Sequence, residues 1–294
     1  MLALIAGTGD LPPALLDRLG ARPLVCALNG NTPSVPVDLT FRLETLGSLI
    51  ADLRAAGVTR LCMAGAIARP ALEAEALDAA TRPLVPRLLS ALGQGDDGAL
   101  RVVMALFEEA GIGIVAAHEI APDLLPPEGV PTRAQPPEAA REDARRGQVV
   151  LAEMGRADSG QACVIGRGRV IAREGPDGTE AMLRRLRPAR DEGGLDTLLA
   201  PVDLLGGVLD SAADWLGGPK AAPLGAAGAL LYKGPKPGQD RRADLPLIGP
   251  ETATQAAEAG LAGIVIEASG VMVLDRDEVI RRCDATGLFL WVRG

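Results

Sequence analysis

One stretch of twenty residues, KGPKPGQDRRADLPLIGPET (233–252), combines groups that act on phosphates with residues that keep a loop still. Lys233, Lys236, Arg241 and Arg242 suit phosphate oxygens, and a guanidinium can grip two of them at once. Asp240, Asp244 and Glu251 suit a divalent metal or a general base. Four prolines fix φ and remove backbone donors, which stiffens the segment. Stiffness favours catalysis because reacting groups must be held in place before the reaction begins. Phosphate binders beside metal-type carboxylates point to phosphoryl chemistry. The plainer alternative is a solvated loop of mixed charge.

Four other clusters carry chemistry. Gly7, Thr8, Gly9 and Asp10 follow an apolar run. Glycines there let a backbone approach a phosphate, and a helix start favours anions. Position 12 is proline, so a full GxGxxG is absent, and a tight βα turn is the competing account. A second apolar run ends at Gly65, with Arg69 in reach of the same sheet edge, where open α/β sheets bind ligands. Its alternative is a helix start with a solvent-facing arginine. His118, the only histidine, sits beside Glu119 at the end of an expected strand and can orient a substrate. One histidine excludes a histidine-rich metal centre, so any metal is a hard cation held by oxygens, most simply Mg²⁺. In REGPDGTEAM (173–182), Thr179 can cap a helix. The amides around Gly178 and Thr179 can meet a phosphate there, and Glu174 or Asp177 a metal or sugar hydroxyls. A capped turn with acidic decoration explains the same residues, as capping explains one of the pair Asp96 and Asp97.

The elements that must position these residues follow an α/β pattern. Apolar runs at 2–6, 23–27, 60–64 and 113–116 alternate with helical stretches at 13–19, 46–56 and 97–109, a Rossmann-like order over roughly residues 1–130. Five prolines in 125–137 read as a linker or lid, and a charged helical stretch at 137–154 follows. A second α/β region opens with a hairpin-like pair at 163–166 and 170–173. It continues with a helix at 178–186, a strand at 229–232 leading into the key loop, a helix at 252–259, strands at 263–267 and 271–274, a helix at 277–283 and a final strand at 288–292. Two α/β domains are expected: 1–135 for nucleotide or substrate binding, and 160–294 for catalysis, with 136–159 as the linker. Residues 190–220 fit poorly; the amphipathic stretch 198–215, with Trp215, reads as a packed helix or as a flap for acyl chains.

Composition narrows the classes. Apolar residues make up 48% of the 294, enough for a full core, while the net charge of −8 argues against a nucleic-acid partner. Cys26, Cys62, Cys163 and Cys283 are scattered through apolar runs without zinc spacing and read as buried thiols. No basic leader and no run near the roughly 20 apolar residues of a membrane span is visible, so a cytoplasmic protein is expected.

The chain resembles the UDP-2,3-diacylglucosamine pyrophosphatases of the LpxI type. The resemblance rests, in order, on LIAGTGDLP (4–12), MAGAIARP (63–70), AHEIAPDLL (117–125), EGPDGTEAM (174–182), KPGQDRRADLP (236–246) and AGLAGIVIE (259–267). Residues 190–220 look longer than the usual connection, and Glu180 stands where the family has Asp. The resemblance implies two α/β domains with the active site in the cleft between them. It implies Mg²⁺-dependent hydrolysis of UDP-2,3-diacylglucosamine to UMP and 2,3-diacylglucosamine 1-phosphate in lipid A synthesis, with attack at the sugar-side phosphorus. It also implies a cytoplasmic setting and transient contact with the inner membrane face to meet a lipid-linked UDP-sugar. A homodimer is compatible with the chain, though no motif specifies one.

On that reading Asp240 leads as metal ligand or base, with Asp244 second and Glu174 a third ligand. Lys233, Lys236 and Arg241 hold the diphosphate, and Gln239 orients water or a sugar hydroxyl. Gly7, Thr8, Gly9, Asp10, Arg69, His118, Gly178 and Thr179 meet the rest of the substrate, with apolar walls from 195–216 for acyl chains. Two rivals stand beside it. A nicotinamide-dependent oxidoreductase would use the Rossmann-like half, and a non-catalytic binder of lipids or nucleotide sugars would release no UMP.

Overall fold

The computed structural model describes residues 1–67, 73–92, 96–157, 159–188 and 226–294. Short apolar runs in the first half make a five-stranded sheet in the order β3-β2-β1-β4-β5. The strands are β1 (Leu2–Ala6), β2 (Leu24–Leu28), β3 (Leu39–Phe41), β4 (Arg60–Ala64) and β5 (Gly113–Ile114). All pairings are parallel. Continuous apolar strands such as LALIA suit such a sheet, because helices cover both of its faces. Ala3 and Ile5 face a core shared with α2 (Leu46–Ala55), α3 (Val85–Leu92) and α4 (Asp96–Glu109). Leu4 and Ala6 face the opposite core, with α1 (Leu11–Leu16) and α5 (Ala117–Ile120).

The second half builds its own five-stranded sheet, ordered β12-β10-β8-β6-β7. Its strands are β6 (Ala162–Gly166), β7 (Arg169–Arg173), β8 (Leu230–Lys233), β10 (Gly263–Glu267) and β12 (Phe289–Arg293). β8, β10 and β12 run parallel, while β6 and β7 form an antiparallel hairpin on the β8 side. Helix α7 (Gly178–Arg185) and the helices Pro250–Glu258 and Arg276–Thr286 cover one face of this sheet.

The other face takes α6 (Glu138–Arg156), which occupies the charged helical stretch expected within the 136–159 linker region and packs it against the sheet. Ala140, Ala144, Val150, Leu151 and Met154 are buried against β6 and β8. The helix lies so close that a Cβ on Gly147 would come within 2.6 Å of the Tyr232 ring. A charged sequence with small inward residues hides this contact from a reading of hydropathy. The proline-rich segment 125–137 is likewise fastened rather than a free lid. Gly129 exchanges backbone hydrogen bonds with Val292, and the buried Thr132 hydroxyl accepts from the Leu290 amide at 2.9 Å.

A two-stranded parallel ribbon, β9 (Leu247–Ile248) with β11 (Met272–Val273), joins the halves. Met272 and Leu274 belong to the same buried cluster as Leu4, Leu15 and Leu124 of the first half, and Leu245 and Leu247 pack against it. The residues expected as an insertion or flap, 190–220, lie outside the described residues apart from that expectation.

Candidate active site

A cavity of about 500 Å³ lies between the two halves, walled by the carboxyl ends of β1 and β4 on one side and by the loop after β8 on the other. In the sheet order β3-β2-β1-β4-β5 those two strands are the neighbours at which the order reverses, the usual ligand crevice of an open α/β sheet.

The first-half wall is built on two turns joined through their backbones. Thr8 and Ala66 exchange hydrogen bonds, N to O, at 2.8 and 2.9 Å, and the Thr8 hydroxyl donates to the Ala66 carbonyl at 3.2 Å. Gly7 does not line the cavity. It lets the two turns close, since a Cβ there would stand 2.4 Å from the Ala66 carbonyl oxygen. Thr8, Gly9 and Asp10 do line it. The expected phosphate site lies at the start of α1. Pro12 and Pro13 lie in its first turn, where they supply no N–H, and Asp10, the N-cap residue, places a carboxylate at the cavity wall. The same proline pair removes the donors that a dinucleotide pyrophosphate would need, which disfavours the oxidoreductase reading. His118 does not line the cavity; it sits on α5 with Nδ1 buried and unpartnered among the described residues. Arg69 lies outside the described residues.

The second-half wall is made of charged side chains. Lys233, at the end of β8, is surrounded by protein with only a narrow contact with the cleft, and its Nζ donates to the Thr179 hydroxyl at 2.9 Å. Thr179 in turn donates to Glu174, which also accepts the Gln161 amide. Burial pushes the Lys233 pKa down, against the pull of Glu174 and Asp244. Asp244 accepts from the Gln161 side-chain amide at 3.2 Å and from that of Gln239. Glu174, Gly178, Lys233, Lys236, Arg241, Arg242 and Asp244 all line the cavity. Arg241 also reaches the Ser269 carbonyl and Glu267.

Three expected residues take other places. Asp240 does not line the cavity, because Arg242 holds both of its oxygens, Nε on Oδ1 at 3.0 Å and Nη2 on Oδ2 at 2.8 Å. That guanidinium holds the Asp240 carboxyl below its ordinary range. Gln239 is buried away from the cavity as a strut. Its Oε1 accepts the Lys236 amide at 2.8 Å, while its Nε2 donates to the carbonyl and side chain of Asp244. Thr179 stands behind the wall, between Lys233 and Glu174. Gln161 is the site residue that sequence reading missed. It precedes β6, and only the β6–β8 register brings it beside Asp244 and Glu174.

No cluster of three or more metal-type ligands exists among the described residues. Two cavity carboxylates, Glu174 and Asp244, nevertheless meet at Gln161. That donor set fits Mg²⁺, which is commonly bound by one or two carboxylates with the remaining ligands from substrate phosphates and water. Thiol chemistry does not fit, since burial pushes the Cys62 and Cys163 thiols up to about 12.

Residues 1–124 match the family model described as the LpxI N-terminal domain, and residues 127–291 match that of the LpxI C-terminal domain. A curated relative from Caulobacter vibrioides, named UDP-2,3-diacylglucosamine pyrophosphatase LpxI, is 35% identical over 295 residues, covering 98% of this chain and 96% of that protein.

Proposed function

Because the chain belongs to the LpxI family, we propose that it hydrolyses the diphosphate of UDP-2,3-diacylglucosamine to UMP and 2,3-diacylglucosamine 1-phosphate, in lipid A synthesis. The observation that carries this reading is the pairing of the Glu174 and Asp244 carboxylates with Lys233, Lys236, Arg241 and Arg242 around one cavity. Cations neutralise a diphosphate, and a carboxylate beside them can take a proton from water.

Asp244 is the base in this scheme, a role that passes to it from Asp240 because Arg242 occupies the latter. A water oxygen bonds to the sugar-side phosphorus while the bridging P–O bond breaks and its electron pair leaves with UMP. Asp244 accepts the proton of the water. Lys233, fixed by Thr179, and the lysine and arginines of the loop stabilise the charge on the phosphoryl oxygens. Glu174 and Asp244 would hold Mg²⁺, which supplies further charge neutralisation. Thr8, Gly9 and Asp10 suit the nucleoside half, with Asp10 accepting from ribose hydroxyls. No helix among the described residues is long and apolar enough to cross a membrane. A substrate carrying acyl chains supports a cytoplasmic enzyme that meets the inner membrane face peripherally.

The test is UMP release from UDP-2,3-diacylglucosamine, with Mg²⁺ and with EDTA, for the native chain and Asp244→Ala. We expect metal-dependent release that drops about 100-fold to 10,000-fold in the variant. Binding without release by the native chain would instead make the protein a carrier. In H₂¹⁸O the label should appear in the sugar 1-phosphate; label in UMP would move the attack to the other phosphorus.

A further inference from the structure

The loop bearing Gln239 and Asp244 is not shaped by its own half alone. Arg101 and Glu108 stand two helical turns apart on α4, on one face of that helix. Arg101 donates to the Gly238 carbonyl, and Glu108 accepts from Arg242 Nη1 at 2.6 Å. Arg242 grips Asp240 with the rest of its fork and with its backbone amide at 3.1 Å. Ala243 packs against the core beneath α4. The loop is therefore fastened to the first half at three points, Gly238, Arg242 and Ala243. Gln239 lies directly beside the first of these, and its side chain clamps the carbonyl and carboxylate of Asp244.

The geometry points to a clasp in which Glu108 and Arg101, on α4 of the first half, are positioning residues that set the pose of the Asp244 carboxylate in the second. The inference rests on the hydrolase reading for its kinetic consequence, though not for its structural one. Neither residue lines the cavity, so neither touches substrate. Arg242 is caught between two carboxylates, one from each half, so release of Glu108 leaves Arg242 gripped by Asp240 of its own half and removes one of the three fastenings. Both α4 side chains are exposed, and exposed ion pairs contribute little to global stability. A clasp of this kind can therefore be cut without unfolding the protein.

The experiment uses full-length Glu108→Ala, Glu108→Asp and Arg101→Ala, with two readouts. One is steady-state UMP release from UDP-2,3-diacylglucosamine with Mg²⁺; the other is amide hydrogen exchange over residues 236–246 in the resting protein. We expect Glu108→Ala to lower kcat by about 10-fold to 100-fold while KM stays near the native value, and to speed exchange in the loop. Glu108→Asp should recover most of both. Combining Glu108→Ala with Asp240→Asn should cost less than the two effects together, because both act through Arg242. Native kcat and native exchange in both Glu108→Ala and Arg101→Ala would overturn the clasp. If the native chain releases no UMP, the hydrolase reading fails, and loop exchange alone decides the clasp. If Glu108→Ala does not fold, Arg101→Ala carries the same two measurements.

Discussion

The two halves contribute to the cavity in opposite ways. The first lends two turns zipped together between Thr8 and Ala66, with the Asp10 carboxylate and no cationic side chain among the described wall residues. The second lends side chains, with Lys233, Glu174 and Asp244 linked through Thr179 and Gln161. The sheets explain the division. An all-parallel sheet ends its strands together and offers turn amides and carbonyls along one edge. The mixed sheet turns β6 against β8, which sets the residues flanking both strands face to face around Lys233. Shape recognition and chemistry are thus assigned to different backbones.

That contrast is best broken where it is sharpest. Lys233→Met should reduce kcat/KM by about 100-fold, with the protein still folded. In the native enzyme the alkaline limb of kcat/KM should fall below the ordinary lysine value of 10.5, since burial lowers the Lys233 pKa. The sign for stability follows: between the lowered and the ordinary value the unfolded chain binds more protons, so stability rises with pH there. Lys233→Arg, charged throughout, should remove that limb. A limb unchanged in Lys233→Arg would assign it to another group.

In the first half the ranking should invert. Gly7→Ala forces a methyl group against a backbone carbonyl and should cost about 1–3 kcal/mol by urea denaturation. Thr8→Ala, which removes an exposed side chain from the cavity wall, should change kcat by less than about threefold. A large kcat loss in Thr8→Ala would end the division between backbone and side-chain walls.

The smallest effect belongs to Asp240. Its carboxyl is held low by Arg242, so its contribution to stability is complete above the ordinary value of 3.8 and fades as pH falls through the lowered folded value. Comparing urea midpoints of the native chain and Asp240→Asn should show a gap that is flat near neutrality and closes in acid. A gap that widens in acid would contradict the pairing.

Legibility from sequence followed the same division. β1, β4 and Gly263–Glu267 coincide with the apolar runs that mark them, because strands buried on both faces are apolar throughout. α1 begins two residues before the expected Pro13, since Pro12 and Pro13 are accommodated in a first helical turn that needs no N–H. β3, three residues long, carries too little pattern to read. The loop 233–252 declares its chemistry through its charges, but the choice between Asp240 and Asp244 depends on which one Arg242 can reach. Gln161 and the α4 pair become visible only when distant segments meet.

The ribbon joining the halves has a consequence for synthesis. Met272 and Leu274 complete a cluster whose other members, from Leu4 to Leu124, leave the ribosome far earlier. At the usual pace of translation, about 5–20 residues per second, the gap is roughly 8 to 30 s. For that interval the first-half side of the cluster lacks the residues that complete it in the folded protein.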